Sequence, residues 1–170
     1  MWLPRVGVVG GPRREKWSQK MNATELEAYL HEHIPISNQM GIQVVRADLE
    51  CVTLRAPLEP NINHRDTVFG GSCASVAMLA AWSLVLLRVR GAGRDAPIVI
   101  QHGEMDYLAP IDAAFSATCY SADQEVWARV LRTLDRGRPA RVELTADVEC
   151  ASKVVARMVA SYVAVPTREF

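Results

Sequence analysis

The chain lacks a charge excess of either sign: 19 Lys and Arg balance 19 Asp and Glu over 170 residues. A nucleic-acid binder would show a basic surplus, so that class is excluded. It also lacks any C-x-x-C pair. Cys51, Cys73, Cys119 and Cys150 are widely spaced, which argues against a zinc site and against a small disulfide scaffold. Each cysteine falls in an apolar or strand-like stretch and reads as a buried, reduced thiol, in keeping with a cytoplasmic location. No internal repeat and no low-complexity linker interrupts the chain. The apolar start is not expected to act as a secretory signal, being too short and broken by Pro4, Arg5 and Gly7. Residues 1–20 are expected to be a poorly ordered extension, with Met21 resembling a natural start. Residues 21–170 are expected to form one domain. Hydrophobic residues, at 49%, are ample for its core, and 22% charged residues do not point to disorder.

What is present is one long apolar run. Residues 68–87, VFGGSCASVAMLAAWSLVLL, carry no charge. Length alone would let this segment span a membrane. Its Gly, Ala and Ser content and its isolation in a chain otherwise patterned as a soluble β-protein point instead to a core helix wrapped by a sheet. Arg88 and Arg90 suit a helix C-terminus, and Gly91 is a natural stop. Ahead of it, residues 22–35 read as a short helix capped by Thr24 and Glu27, with Leu26, Tyr29 and Leu30 on one face and Pro35 at its end. Residues 41–58 read as two strands, or one bent strand, turning near Asp48. After the apolar run come strands over 96–110 and 113–120. The stretch 123–137 reads either as a helix or as a strand and turn. Residues 141–150 alternate strictly, Val142, Leu144, Ala146, Val148 and Cys150 against polar neighbours, as a half-exposed antiparallel strand does. Residues 153–165 return through a turn at Ala151–Ser152. The economical packing is α+β: an antiparallel sheet wrapped around one long central helix, the hotdog fold.

Chemistry concentrates in PNINHRDTVFGGS, residues 60–72, immediately before the apolar run. Gly70, Gly71 and Ser72 would present unpaired backbone N–H groups at the helix start, where the dipole adds positive charge. Such donors stabilise negative charge that develops on a carbonyl oxygen. Close helix–sheet packing is the competing explanation for the glycines. Asn63 offers both a donor and an acceptor. Asn61, directly after Pro60, suits an Asx turn better. His64 and Asp66 are candidate acid/base groups, against a surface histidine and a helix-start aspartate. Cys73 reads as a small buried residue rather than a nucleophile.

Two features resemble hotdog-fold acyl-thioester enzymes over roughly residues 35–165. One is Asn63 followed six positions later by Phe69-Gly70-Gly71. The other is Tyr107-Leu108-Ala109-Pro110, similar to a Tyr-Leu-x-Pro turn between hotdog strands. More closely, N-x-N-H-x-x-T-x-F-G-G-S before an Ala-rich helix containing Trp82 resembles the YiiD C-terminal-domain family. That family is labelled thioesterase, and it includes stand-alone malonyl-acyl-carrier-protein decarboxylases. The resemblance implies an enzyme whose substrate rides on the phosphopantetheine of acyl carrier protein or coenzyme A, with no separate cofactor and no metal. It implies a homodimer or dimer of dimers with sites at the interface. Candidate catalytic residues are Asn63, His64 and Asp66, and candidate thioester-binding residues are Gly70, Gly71 and Ser72.

The chain departs from many hotdog thioesterases in two ways. Phe69 stands where they have a histidine, and residues 74–79 contain no helix carboxylate to activate water or act as nucleophile. Decarboxylation of a malonyl thioester needs no such base, so it becomes the leading expectation. Acyl-thioester hydrolysis is the alternative, and a non-catalytic acyl-binding role is the third. Arg129, Arg132, Arg136, Arg138 and Arg141 form the densest basic stretch, readable as a solvated face or as a dock for an acidic carrier.

Overall fold

The computed structural model describes residues 21–166, and the extension expected over 1–20 lies outside them. Helix α1, Ala23–His33, leads through the short α2, Pro35–Gln39, to strands β1, Gln43–Ala47, and β2, Cys51–Ala56. The long helix α3, Gly70–Gly91, follows. Then come β3, Ile98–Tyr107, β4, Phe115–Tyr120, helix α4, Gln124–Asp135, and the long hairpin of β5, Ala140–Cys150, with β6, Lys153–Ala164. All six strands form one antiparallel sheet in the order β1-β2-β4-β5-β6-β3.

The sheet wraps α3. Val76, Ala77, Ala80, Leu84 and Val85 of the helix are fully buried, and Leu54, Ala117, Val148 and Ala156 bury the facing side of the strands. This helix is long and apolar enough to cross a membrane, but its apolar surface is taken up by the sheet, as expected of a core helix. Tyr162, fully buried on β6, donates from its hydroxyl to the Met78 carbonyl at 2.9 Å, and Trp82 donates from its indole to the Ile98 carbonyl at 3.0 Å. These two bonds fix how α3 rotates against the strands. Strand β5 alternates buried and outward residues as its sequence requires. Ala151 and Ser152 make the tight β5–β6 turn with positive φ at both positions.

Local details correct the sequence reading. The N-cap of α1 is Asn22, not Thr24, and its capping box closes with Glu25. Glu27 instead accepts the Val44 N–H of β1 at 2.7 Å. Pro35 ends α1 but also opens α2. Helix α3 stops near Gly91, but the glycine with left-handed φ is Gly93. The ambiguous 123–137 stretch is a helix that buries Trp127, Val130 and Leu134. All four cysteines are free and buried.

Strand β3 is a sheet edge. It pairs only with β6, and Val99, Ile100 and Tyr107 are exposed along it. The chain then crosses from this edge to β4 between β2 and β5. That crossing carries Tyr107-Leu108-Ala109-Pro110 past the start of α3. The Leu108 and Ala109 amides both donate to the Val155 carbonyl, which holds the turn against β6.

Candidate active site

The loop of residues 61–69 is a closed structure. Ile62 and Val68 form an isolated antiparallel bridge. The Asn63 N–H donates to the Thr67 carbonyl at 2.7 Å, and the Phe69 N–H to the Asn61 carbonyl at 2.7 Å. The Val68 N–H donates to the Ile111 carbonyl, also at 2.7 Å, tying the loop to the crossing segment. Asp66 takes a left-handed φ of 59° at the tip, a conformation that aspartate tolerates better than most residues.

The two asparagines exchange the roles their positions imply. Asn63 makes the Asx turn: its Oδ1 accepts the Arg65 N–H at 2.7 Å, while its Nδ2 donates to Thr67 Oγ1 at 3.0 Å and to the Val68 carbonyl at 3.2 Å. Asn61 is fully buried, and its Nδ2 donates to the Met40 and Pro57 carbonyls at 2.9 and 2.8 Å. Both amide hydrogens of Asn63 are thus engaged within the loop. His64, Arg65 and Asp66 are exposed at its tip.

The loop delivers the chain to α3 with Phe69 as N-cap, and no side chain caps the helix. The first return bond is from the Cys73 N–H to the Phe69 carbonyl at 3.0 Å. Among the described residues, the Gly70, Gly71 and Ser72 amides have no hydrogen-bond acceptor. Three N–H donors at the positive end of a 22-residue helix are therefore available to a ligand. Tyr107 closes one side: its ring packs on Gly70 and its hydroxyl donates to the Gly70 carbonyl at 2.9 Å. Phe69 closes another, with its ring lying directly on Gly71.

A cavity of about 330 Å³ opens beside these donors, lined by Val68, Gly70, Cys73, Tyr107 and Leu108 through Ile111. Burial pushes the Cys73 thiol up from its ordinary 9.0 to about 11, so at neutral pH it is a protonated wall residue and not a nucleophile. Burial also raises the Tyr107 phenol, with a smaller contribution from Cys73 once that thiol ionises in alkali, so the hydroxyl remains a donor. The second turn of α3 supplies no acid: Ser75 returns its hydroxyl to the Gly71 carbonyl at 2.8 Å. Among the described residues no cluster of His, Cys, Asp and Glu could hold a metal.

The structure brings Asn63 and Gly70–Ser72 into one loop-and-helix unit and exposes His64 and Asp66 at the loop tip, away from the cavity lining. Tyr107 and the cavity wall at Leu108–Ile111 were not among the expected site residues, although the Tyr-Leu-Ala-Pro stretch was the visible signal for them. The arginine stretch lies elsewhere. Helix α4 packs at the far end of α3, where Arg88 stacks over Trp127 and Arg94 grips Asp135. About 27 Å of helix, from Gly70 to Arg88, separates it from the free amides within one chain.

A six-stranded antiparallel sheet around one apolar helix, with free amides at the helix start, defines a hotdog-fold, thioesterase-like protein. The chain belongs to the family described as "Putative thioesterase (yiiD_Cterm)", whose model matches residues 23–166. Solved structures agree. A Chlorobaculum tepidum protein of unknown function is 30% identical, with a TM-score of 0.80, and the match covers 85% of this chain and 94% of that one. A Shewanella oneidensis protein described as a "putative thioesterase" is 30% identical, with a TM-score of 0.76, covering 85% and 97% of the two chains. A Pseudomonas aeruginosa protein described as a "Probable Thioesterase" is 20% identical, with a TM-score of 0.74, covering 88% and 100%, and shares the fold.

Proposed function

We propose that the chain decarboxylates a malonyl thioester carried by acyl carrier protein or coenzyme A, giving an acetyl thioester that can prime fatty-acid synthesis. One observation carries this reading: three N–H donors without a protein acceptor stand at the start of α3, beside a cavity whose lining includes no carboxylate and no imidazole and whose one thiol is protonated. Such a site can stabilise an enolate but is poorly equipped to activate water. In the reaction the bond between Cα and the carboxylate carbon breaks. Its electron pair moves into the Cα–carbonyl bond and negative charge gathers on the thioester oxygen, facing the Gly70, Gly71 and Ser72 amides. CO₂ leaves, and a proton from water completes the acetyl group at Cα. A cavity near the small end of ligand-site volumes suits so short an acyl group.

Asn63 has a positioning role in this scheme. It holds the Val68 carbonyl and the Arg65 amide and so sets the path of the chain into the donors. The working form in this reading is a homodimer, or a dimer of dimers, that covers the exposed β3 edge, in a reducing cytoplasm that keeps the four cysteines as thiols. A partner residue would then border the site. Acyl-thioester hydrolysis is the second reading, favoured by the descriptions of the Shewanella and Pseudomonas relatives. A purely acyl-binding role gains nothing from the free amides.

The deciding experiment is mass spectrometry of malonyl-acyl carrier protein incubated with the purified chain and with Asn63→Ala. Loss of CO₂ with the thioester intact, at least about a hundredfold slower in the variant, is the expected result. Release of the free carrier thiol by the wild-type chain would replace this reading with hydrolysis.

A further inference from the structure

Enolate formation and hydrolysis place negative charge on the same thioester oxygen, so the same three amides serve both. What separates them is whether water reaches the thioester carbon. Phe69 bears on that question from outside the cavity lining, with its ring lying on the donor-bearing Gly71. It is 57% exposed although large and apolar, and its ring is not free to wander at its base. The Phe69 N–H is bonded to the Asn61 carbonyl and the Phe69 carbonyl accepts the Cys73 N–H. The ring rests so closely on Gly71 that a Cβ added there would lie 2.2 Å from one ring carbon and 2.7 Å from the next. Tyr107 meets Gly70, where an added Cβ would lie 3.4 Å from its ring. Two aromatic rings therefore flank the first two donor-bearing residues, and neither brings a base. Tyr107 is anchored by its bond to the Gly70 carbonyl, while the Phe69 ring makes apolar contact only.

We propose that Phe69 sets the product of the site: its ring shields the donor-bound thioester from water and strips hydration from the substrate carboxylate, so that CO₂ departs before water can add. This rests on the decarboxylase reading. Hydration stabilises a carboxylate more than it stabilises the delocalised enolate, so an apolar ring against the carboxylate raises the ground state relative to the transition state. Hydrolysis follows the other course: water adds to the carbonyl carbon, the C–S bond breaks, and the thiolate leaves and takes a proton. A smaller or polar side chain at position 69 would admit that water.

The test uses the full chain with malonyl-coenzyme A and malonyl-acyl carrier protein, comparing wild type with Phe69→Leu, Phe69→Ala and Phe69→His. Acetyl thioester and free thiol are quantified in the same reaction, and circular dichroism melting confirms folding of each variant. Wild type is expected to form acetyl thioester. Phe69→Leu should be slower but keep that product. Phe69→Ala and Phe69→His should lose about tenfold in decarboxylation and send a larger fraction of turnover to free thiol. Wild type giving acetyl thioester, with all variants keeping its rate and product ratio within about twofold, overturns the role of Phe69 and leaves the decarboxylase reading standing. Free thiol as the wild-type product, or no turnover of either substrate, overturns both.

Discussion

The hydroxyl of Tyr107, at the end of β3, donates to the carbonyl of Gly70, the first residue of α3, across 2.9 Å. This bond ties the exposed sheet edge to the helix end that carries the free amides. It also places the Tyr-Leu-Ala-Pro crossing as one wall of the cavity.

Tyr107→Phe removes the donor and keeps the ring that packs on Gly70. The carbonyl remains solvent-accessible, so the expected loss of stability is only about 1 kcal/mol, a fall in melting temperature of roughly 2–4 °C. Turnover should fall more, by about tenfold, because the amides lose their anchor to the sheet. Parallel melting curves and rate measurements decide it. A stability loss with no change in rate would make the bond structural alone.

Much of this arrangement was readable from local patterns, and the failures have physical causes. The strict alternation over 141–150 and the charge-free run before Arg88 correspond to β5 and α3 because each pattern matches one period only. The α1 cap was misplaced because Asn22 with Glu25 and Thr24 with Glu27 both satisfy the capping-box spacing. The outcome is decided at a distance, where Glu27 is drawn to the Val44 amide of β1. Helix or strand for 123–137 is settled by Trp127, which is buried with Val130 and Leu134 against the end of α3. The one local cue, Pro60 before Asn61, assigns the Asx turn to the wrong asparagine. The short 3-10 turn over Glu59–Asn61 carries Asn61 under Met40 and leaves Asn63 to shape the loop.

That difference predicts opposite phenotypes for two similar substitutions. Asn61→Ala strands the Met40 and Pro57 carbonyls, one of them in the core, and removes a fully buried side chain. A loss of about 2–4 kcal/mol is expected, read as a lower urea midpoint with an unchanged slope. Asn63→Ala acts on a half-buried loop whose groups can turn to water, so its stability should fall by about 1 kcal/mol while its activity collapses. Equal destabilisation by both would contradict the separation of roles.

Burial of thiols predicts how stability responds to alkali. Burial raises Cys73 from 9.0 to about 11, and burial, with a smaller contribution from the charge of Cys51, raises Cys119 from 9.0 to about 12. An unfolded chain ionises both near pH 9, whereas the folded chain keeps them protonated. Between these limits the folded state binds more protons than the unfolded state, so stability falls as pH rises. Their stabilising contribution is fully present below pH 9 and is lost as pH climbs through the folded values. Urea midpoints of the reduced protein should therefore drop above pH 9, with the burial-raised Tyr162 phenol adding to the decline at the highest pH. Replacing both residues, Cys73→Ala with Cys119→Ala, costs stability at neutral pH by leaving small cavities, but it should flatten the alkaline slope. The comparison rests on that slope and not on the neutral offset. An identical alkaline decline in the double variant would show that the thiols ionise freely in the folded state, and Cys73 would return as a candidate nucleophile beside the free amides.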